Sequence, residues 1–156
     1  MDAQIATIFD EAESRYLKSE ELNILSQYVS SLPQRLETYR LLRDKELEIM
    51  QQVADQLQLA MPQETTANLE RCLKHALLML RYCAMSMLLN DESFVKERLL
   101  GWLSQTVQAY NTQAIDSTLY RLLNQRLSQV FNPGQLGLLN PPLKLAQTTL
   151  LQPNLK

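Results

Sequence analysis

Cys72, His75, Met79 and Cys83 put two thiols, an imidazole and a thioether on one short stretch of chain. At about 100° per residue in a helix, His75 lies about 60° from Cys72, and Met79 and Cys83 fall within about 20° of it. Ala76, Leu80 and Met87 widen this stripe. A thiol and an imidazole on one apolar face can serve three chemistries: a nucleophile pair, a metal pair, or a wall against a flat hydrophobic cofactor. The first is poorly served, since three residues along one helix is not a nucleophile and base geometry. The second is nearly excluded, because His75 is the only histidine and most metal constellations need two or more imidazoles at fixed offsets. Two readings stay open, a cofactor wall and a core-facing stripe with buried thiols and a satisfied histidine. Cys72 and Cys83 would stand about 16 Å apart on a continuous helix and cannot bridge each other.

The stripe sits on an apolar helix expected from about Thr66 to Leu89, opened by a cap at Thr65 or Thr66 and closed by Asn90 in the left-handed conformation. Before it, Ile5, Ile8 and Phe9 mark a short amphipathic helix over about 2–14. Ser19 with Glu20 and Glu21 opens a second short one, with Leu22, Leu25, Tyr28 and Val29 expected as its buried stripe. Ser31 and Pro33 then punctuate a new start, predicting a long helix over roughly 33–60 with a bend near Asp44. After the stripe, Asp91 caps a helix that reaches Tyr110, and another spans about Ala114 to Phe131. Asn132, Pro133 and Gly134 read as a stop. Residues 133–156, with Pro141, Pro142 and Pro153 among their leucines, read as an irregular tail docked through Leu138, Leu139, Leu143 and Leu145.

Composition agrees with an all-α chain. Of 156 residues only three are Gly and six Pro, aromatics are 6%, and leucine, glutamine and alanine prevail. So few glycines leave no phosphate-cradling loop, and neither cysteine has a CxxC neighbour. Catalysis is not expected. All 17 acids lie in residues 1–116 against 11 Lys and Arg, while the last 40 residues carry four cations and no acid. Those cations, Arg121, Arg126, Lys144 and Lys156, are too sparse for a nucleic-acid footprint. An acidic amphipathic opening and no apolar run near 18 residues predict a cytoplasmic chain without membrane insertion.

Two signatures carry a family resemblance. The run AESRYLKSEELNILSQYVSS followed by LPQRLE, at residues 12–37, supplies Arg15, Tyr16 and Leu17, then Glu21 and Leu22, then Arg35 and Leu36. The second is Cys72, Leu73, Lys74 and His75, with Arg81 nine residues past the cysteine and then Asn90 and Asp91. In order and spacing these resemble the phycobilisome proteins, the globin-like α and β subunits of phycocyanin and allophycocyanin. The resemblance implies a globin-like fold with an N-terminal helical arm: residues 1–132 as the domain, 1–31 as the arm and 133–156 as a tail in place of the family's C-terminal helix.

The resemblance further implies a linear tetrapyrrole, a bilin, held covalently at Cys72, with Arg71 and Lys74 on its propionates and His75 and Met79 on the same face. His75 stands where the family has an aspartate, and Leu78 and Met79 replace a tyrosine pair. The function expected is a non-enzymatic, accessory or regulatory bilin-binding protein of the light-harvesting system. One alternative is a haem-binding globin-like protein with His75 on the iron. The other is a pigment-free adaptor contacting phycobilisome components. Glu11 and Arg81 match residues that pair across subunits in the family, implying a homodimer or a heterodimer with another such subunit, in the cytoplasm and associated through the phycobilisome with the cytoplasmic face of thylakoid membranes.

Overall fold

The computed structural model describes residues 2–152 and is all-α, with no strand among them. Helix α1 covers Ala3–Glu11, α2 Ser19–Ala60, α3 Thr66–Leu89, α4 Ser93–Val95, α5 Gly101–Tyr110, α6 Gln113–Val130 and α7 Pro133–Leu150. Between α4 and α5 the chain widens into a π-helical turn at Lys96–Leu100, so these three pieces form one interrupted helical run. The core is the stripe of α3 and the faces turned toward it from α2, the α4 to α5 run, α6 and α7.

The turn chemistry expected around α3 is present. The Thr65 hydroxyl accepts from the Asn68 N–H at 3.2 Å, satisfying one of the free donors of the first turn. Asn90 ends the helix at φ 50°, in the left-handed region that asparagine tolerates better than most side chains. Asp91 then accepts from the Ser93 N–H at 3.0 Å and starts α4. Contrary to the expectation of no long apolar run, α3 is long and apolar enough to cross a membrane. Its most apolar window is 44% buried inside the protein, which is how a core helix passes the same test.

Two proline readings are corrected. The expected short helix and the long helix after Pro33 are one element, the 42-residue α2, which is also continuous through Asp44. Pro33 is exposed within it, where it removes one intrahelical donor. Side chains compensate locally: the Ser31 hydroxyl donates to the Tyr28 carbonyl at 2.7 Å, and Arg35 Nε donates to Ser31 Oγ at 2.9 Å. Arg35 also donates through Nη1 to the Met87 carbonyl at 2.6 Å, and the Tyr28 hydroxyl to the Leu88 carbonyl at 3.3 Å. These bonds tie both sides of the proline to the end of α3, and tertiary fastening overrides the local signal.

The second correction is the tail, which is helix α7 and not irregular chain. Asn132 and Pro133 start it: the Asn132 carboxamide accepts from Gln135 N–H at 2.8 Å, the Gln135 side chain accepts from Asn132 N–H at 3.0 Å, and Pro133 occupies the first turn. Pro141 and Pro142 lie inside the helix, and Pro142 is buried with its carbonyl accepting the Cys83 thiol at 3.5 Å. The expected docking residues do meet the body. Leu139 and Leu143 are buried, and Leu138 and Leu145 pack partly against the core. Pro153 and Lys156 lie outside the described residues.

Candidate functional site

Cys72 faces inward. Only 1% of it is exposed, and its thiol is packed beside the first turn of α6, where the Thr112 hydroxyl donates to Asp116 Oδ2 at 2.9 Å. Thr112, Asp116 and Tyr120 are all buried there, and the thiol is near enough to Asp116 for each group to perturb the other's ionisation. Burial, then the neighbouring Asp116 carboxylate, pushes the Cys72 thiol up to about 12. Burial also raises the Asp116 carboxyl above its usual range, opposed by the hydrogen bond from Thr112 and the neighbouring Cys72 thiol. A thiol held that far above neutral pH stays protonated, so the cluster offers no thiolate nucleophile.

The other expected site residues divide between surface and core. Arg71 lies 4.1 Å over the Tyr110 ring and donates to Asn68 Oδ1 at 3.2 Å. Lys74 is exposed. His75 is half-buried, edge to face with Trp102 at 6.4 Å between centroids. Burial, and then the charge of Arg71, holds its imidazole below the usual pKa and therefore neutral at pH 7. Met79 is fully buried in the core. The helix brings together a ledge of Arg71, Lys74, His75, Trp102 and Tyr110, and turns the adjacent Cys72 and Met79 inward to the core. Tyr82 against Phe94, 5.6 Å between centroids, continues the same antiparallel seam between α3 and the α4 to α5 run.

Arg81 points away from Cys72, as the helical angle predicts, and lines a cleft of about 260 Å³ between α2 and α3 with Tyr39, Leu42, Arg43, Glu46, Leu80 and Ala84. Its guanidinium grips Glu46 with two bonds, at 2.7 and 3.0 Å, while 61% of the side chain remains exposed. Glu11 is exposed at the end of α1 and reaches Arg15 at 3.4 Å. Arg15 in turn binds Glu21 at 2.8 and 3.2 Å, and that pairing, with the Lys18 N–H, holds the Glu21 carboxyl at about 2. Within one chain Glu11 and Arg81 thus have different partners.

Asp116 and Thr112 were not among the sequence candidates. The usable signal was an acid, the last in the chain, placed among Ile115, Leu119, Tyr120 and Leu123 on an apolar helix face. Trp102 and Tyr110, spaced eight apart on α5, likewise mark one side of that helix.

A helical body of this order, with two helices leading into a globin-like core, defines the class: an all-α, globin-like protein. The chain matches the family model described as phycobilisome protein over residues 7–150, and it belongs to the phycobilisome family. The match includes α7, in keeping with its place in the core. No curated protein matches the chain.

Proteins of this family are light-harvesting subunits that carry covalently attached bilins and assemble with other subunits. A thioether bond requires the cysteine sulfur at the surface of a cleft that admits the pigment. Cys72, 1% exposed and packed beneath the Thr112 and Asp116 pair, does not meet that requirement. His75, half-buried, meets the Trp102 ring edge to face at the seam.

Proposed function

We propose that the chain is an accessory phycobilisome-family subunit whose task is assembly, and that it pairs with a second copy of itself through the N-terminal helices. The observation that carries this reading is a bare apolar stripe, where the sequence predicts a buried one. Residues 19–37 of α2 contain no buried side chain, and Leu22 (51% exposed), Val29 (53%) and Leu36 (39%) recur at intervals of seven along it. Phe9 and Tyr16 extend the exposed apolar surface at the α1 end. A heptad-spaced row with nothing on it is a helix-docking seam.

Charge supports the choice of occupant. Asp10, Glu11 and Glu13 are exposed around the end of α1, and the α2 to α3 cleft carries Arg43 and Arg81, paired with Asp44 and Glu46, on its rim above an apolar floor of Leu42, Leu80 and Ala84. A second copy offers an acidic helix end to this cleft and receives the same in return, the self-complementary arrangement of a two-fold dimer. In the dimer Glu11 of one copy joins Arg81 of the other, and Glu46 remains on the far side of the guanidinium. Leu22→Lys combined with Val29→Lys removes no buried contact, so the fold should stay intact by circular dichroism while light scattering after size exclusion reports monomer in place of dimer. An unchanged dimer in that variant contradicts the proposal.

A second reading is favoured by the ledge of Arg71, Lys74, His75, Trp102 and Tyr110, which sets two cations and three rings beside Cys72. In that reading the Asn111 and Thr112 turn opens and a bilin lies on the ledge. Coexpression with bilin synthesis separates the two. A coloured protein whose visible absorption is lost in Cys72→Ala supports the second reading, and a colourless protein supports the first.

A further inference from the structure

Helices α6 and α7 run antiparallel, and their outer faces are bridged by one reciprocal carboxamide pair. Asn124 Nδ2 donates to Gln147 Oε1 at 2.9 Å, and Gln147 Nε2 donates back to Asn124 Oδ1 at 2.9 Å. A cleft opens on each side of that bridge. One, of about 470 Å³, is lined by Ser117, Tyr120, Arg121, Gln125 and Leu151 with the bridging pair. The other, of about 580 Å³, is lined by Leu127, Ser128, Leu136, Asn140, Leu143 and Lys144 with the same pair. Both therefore belong to one groove crossed by an amide bridge.

The groove's chemistry is uniform. Its floor is apolar, with Tyr120, Leu127 and Leu143 buried. Its walls are carboxamides and hydroxyls, and its only charges are Arg121 and Lys144. No acid follows Asp116 in the sequence. Gln125, Asn140, Arg121 and Lys144 are exposed and make no side-chain hydrogen bond or ion pair among the described residues.

We infer that the α6 to α7 groove binds an extended, acidic segment of a partner polypeptide. A carboxamide donates and accepts together, as a peptide group does, so Asn124, Gln125, Asn140 and Gln147 can pair with main-chain N–H and C=O groups whatever the side chains. The Asn124 and Gln147 bridge already shows that pairing, and being at the surface it opens at little cost because water or a peptide group replaces each bond. From Ser117 to Ser128 the groove runs about 16 Å, room for about five extended residues at about 3.3 Å each. Arg121 and Lys144 set the sign of the charge, since nothing acidic lines the groove to receive a basic segment. Alternate side chains of the bound segment would point down to the leucines.

The test is fluorescence anisotropy of the full chain with a labelled peptide, acetyl-Glu-Leu-Glu-Leu-Glu-amide, whose leucines share one face when extended, beside its Glu-to-Lys counterpart and a version methylated at the backbone nitrogens. Binding of the acidic peptide should weaken at least tenfold on each of three changes: lysine for glutamate, backbone methylation, and Arg121→Ala with Lys144→Ala. Gln125→Ala with Asn140→Ala should weaken it while leaving the charge preference. These exposed substitutions leave the fold unchanged by circular dichroism. Equal binding of the lysine peptide, equal binding after methylation, or no anisotropy change up to millimolar peptide overturns the inference.

Discussion

Met79→Ala is expected to lower the free energy of unfolding by about 2–5 kcal/mol, read from the urea midpoint at unchanged slope. Met79 is fully buried among the α3, α2 and α7 contributions to the core. Removing its thioether leaves a void that rigid neighbours fill only in part, which adds a cavity cost to the lost burial. The comparison residue is Lys74, about 140° round the same helix from Met79 and exposed. Lys74→Ala should change stability by less than about 0.5 kcal/mol. A Met79→Ala loss below about 1 kcal/mol would mean that the side chain lines open space, as a pigment wall would, and would reopen the cofactor reading of the stripe.

Pro33→Ala should strengthen the first half of α2. An interior proline costs a helix about 3 kcal/mol relative to alanine, and Pro33 is exposed, so its ring takes little packing with it. Part of that cost is already offset by the Ser31 and Arg35 side-chain bonds, which sets the expected gain at about 1–3 kcal/mol. The gain belongs to residues 19–37, where no side chain is buried, and not to the global transition. Amide hydrogen exchange reads it directly as protection rising about fivefold to a hundredfold across that stretch. Unchanged or faster exchange there would mean that Pro33 separates two helices after all.

The contrast between α3 and the two proline helices shows which information the sequence carries. Thr65, Asn90 and Asp91 act on backbone groups within three residues, so both ends of α3 are legible from local chemistry. Proline is also a local signal, but its outcome is decided at a distance. Arg35 fastens α2 to the Met87 carbonyl 52 residues away, and the Cys83 thiol meets the Pro142 carbonyl 59 residues away. The start of α7 is legible locally, since Asn132, Pro133 and Gln135 form a capping pattern that opens a helix as readily as the proline stops one.

The candidate site divides in the same way. Helical angles place Arg81 opposite Cys72 and gather Cys72, Met79 and Cys83 on one face, and the structure agrees on both. Whether that face meets a pigment or a core depends on what lands on it. Asp116 and Thr112, brought over Cys72 by α6, decide it for this conformation. Glu46, on the helix before, likewise fixes Arg81 within the chain, a pairing that no spacing rule over 35 residues reveals. The uneven charge of the sequence is visible in space, with acids around the end of α1 and an acid-free groove between α6 and α7.

Pairing through Glu11 and Arg81 is the claim on which the assembly function turns, and sedimentation equilibrium of two charge-reversed chains tests it. Glu11→Arg alone and Arg81→Glu alone should each be monomeric, because each places like charges at both contacts of a two-fold dimer. An equimolar mixture of the two variants restores opposite charges at both contacts, and its mass should return to that of a dimer. Single variants that dimerise as the unaltered chain does, or a mixture that stays monomeric, would contradict the account.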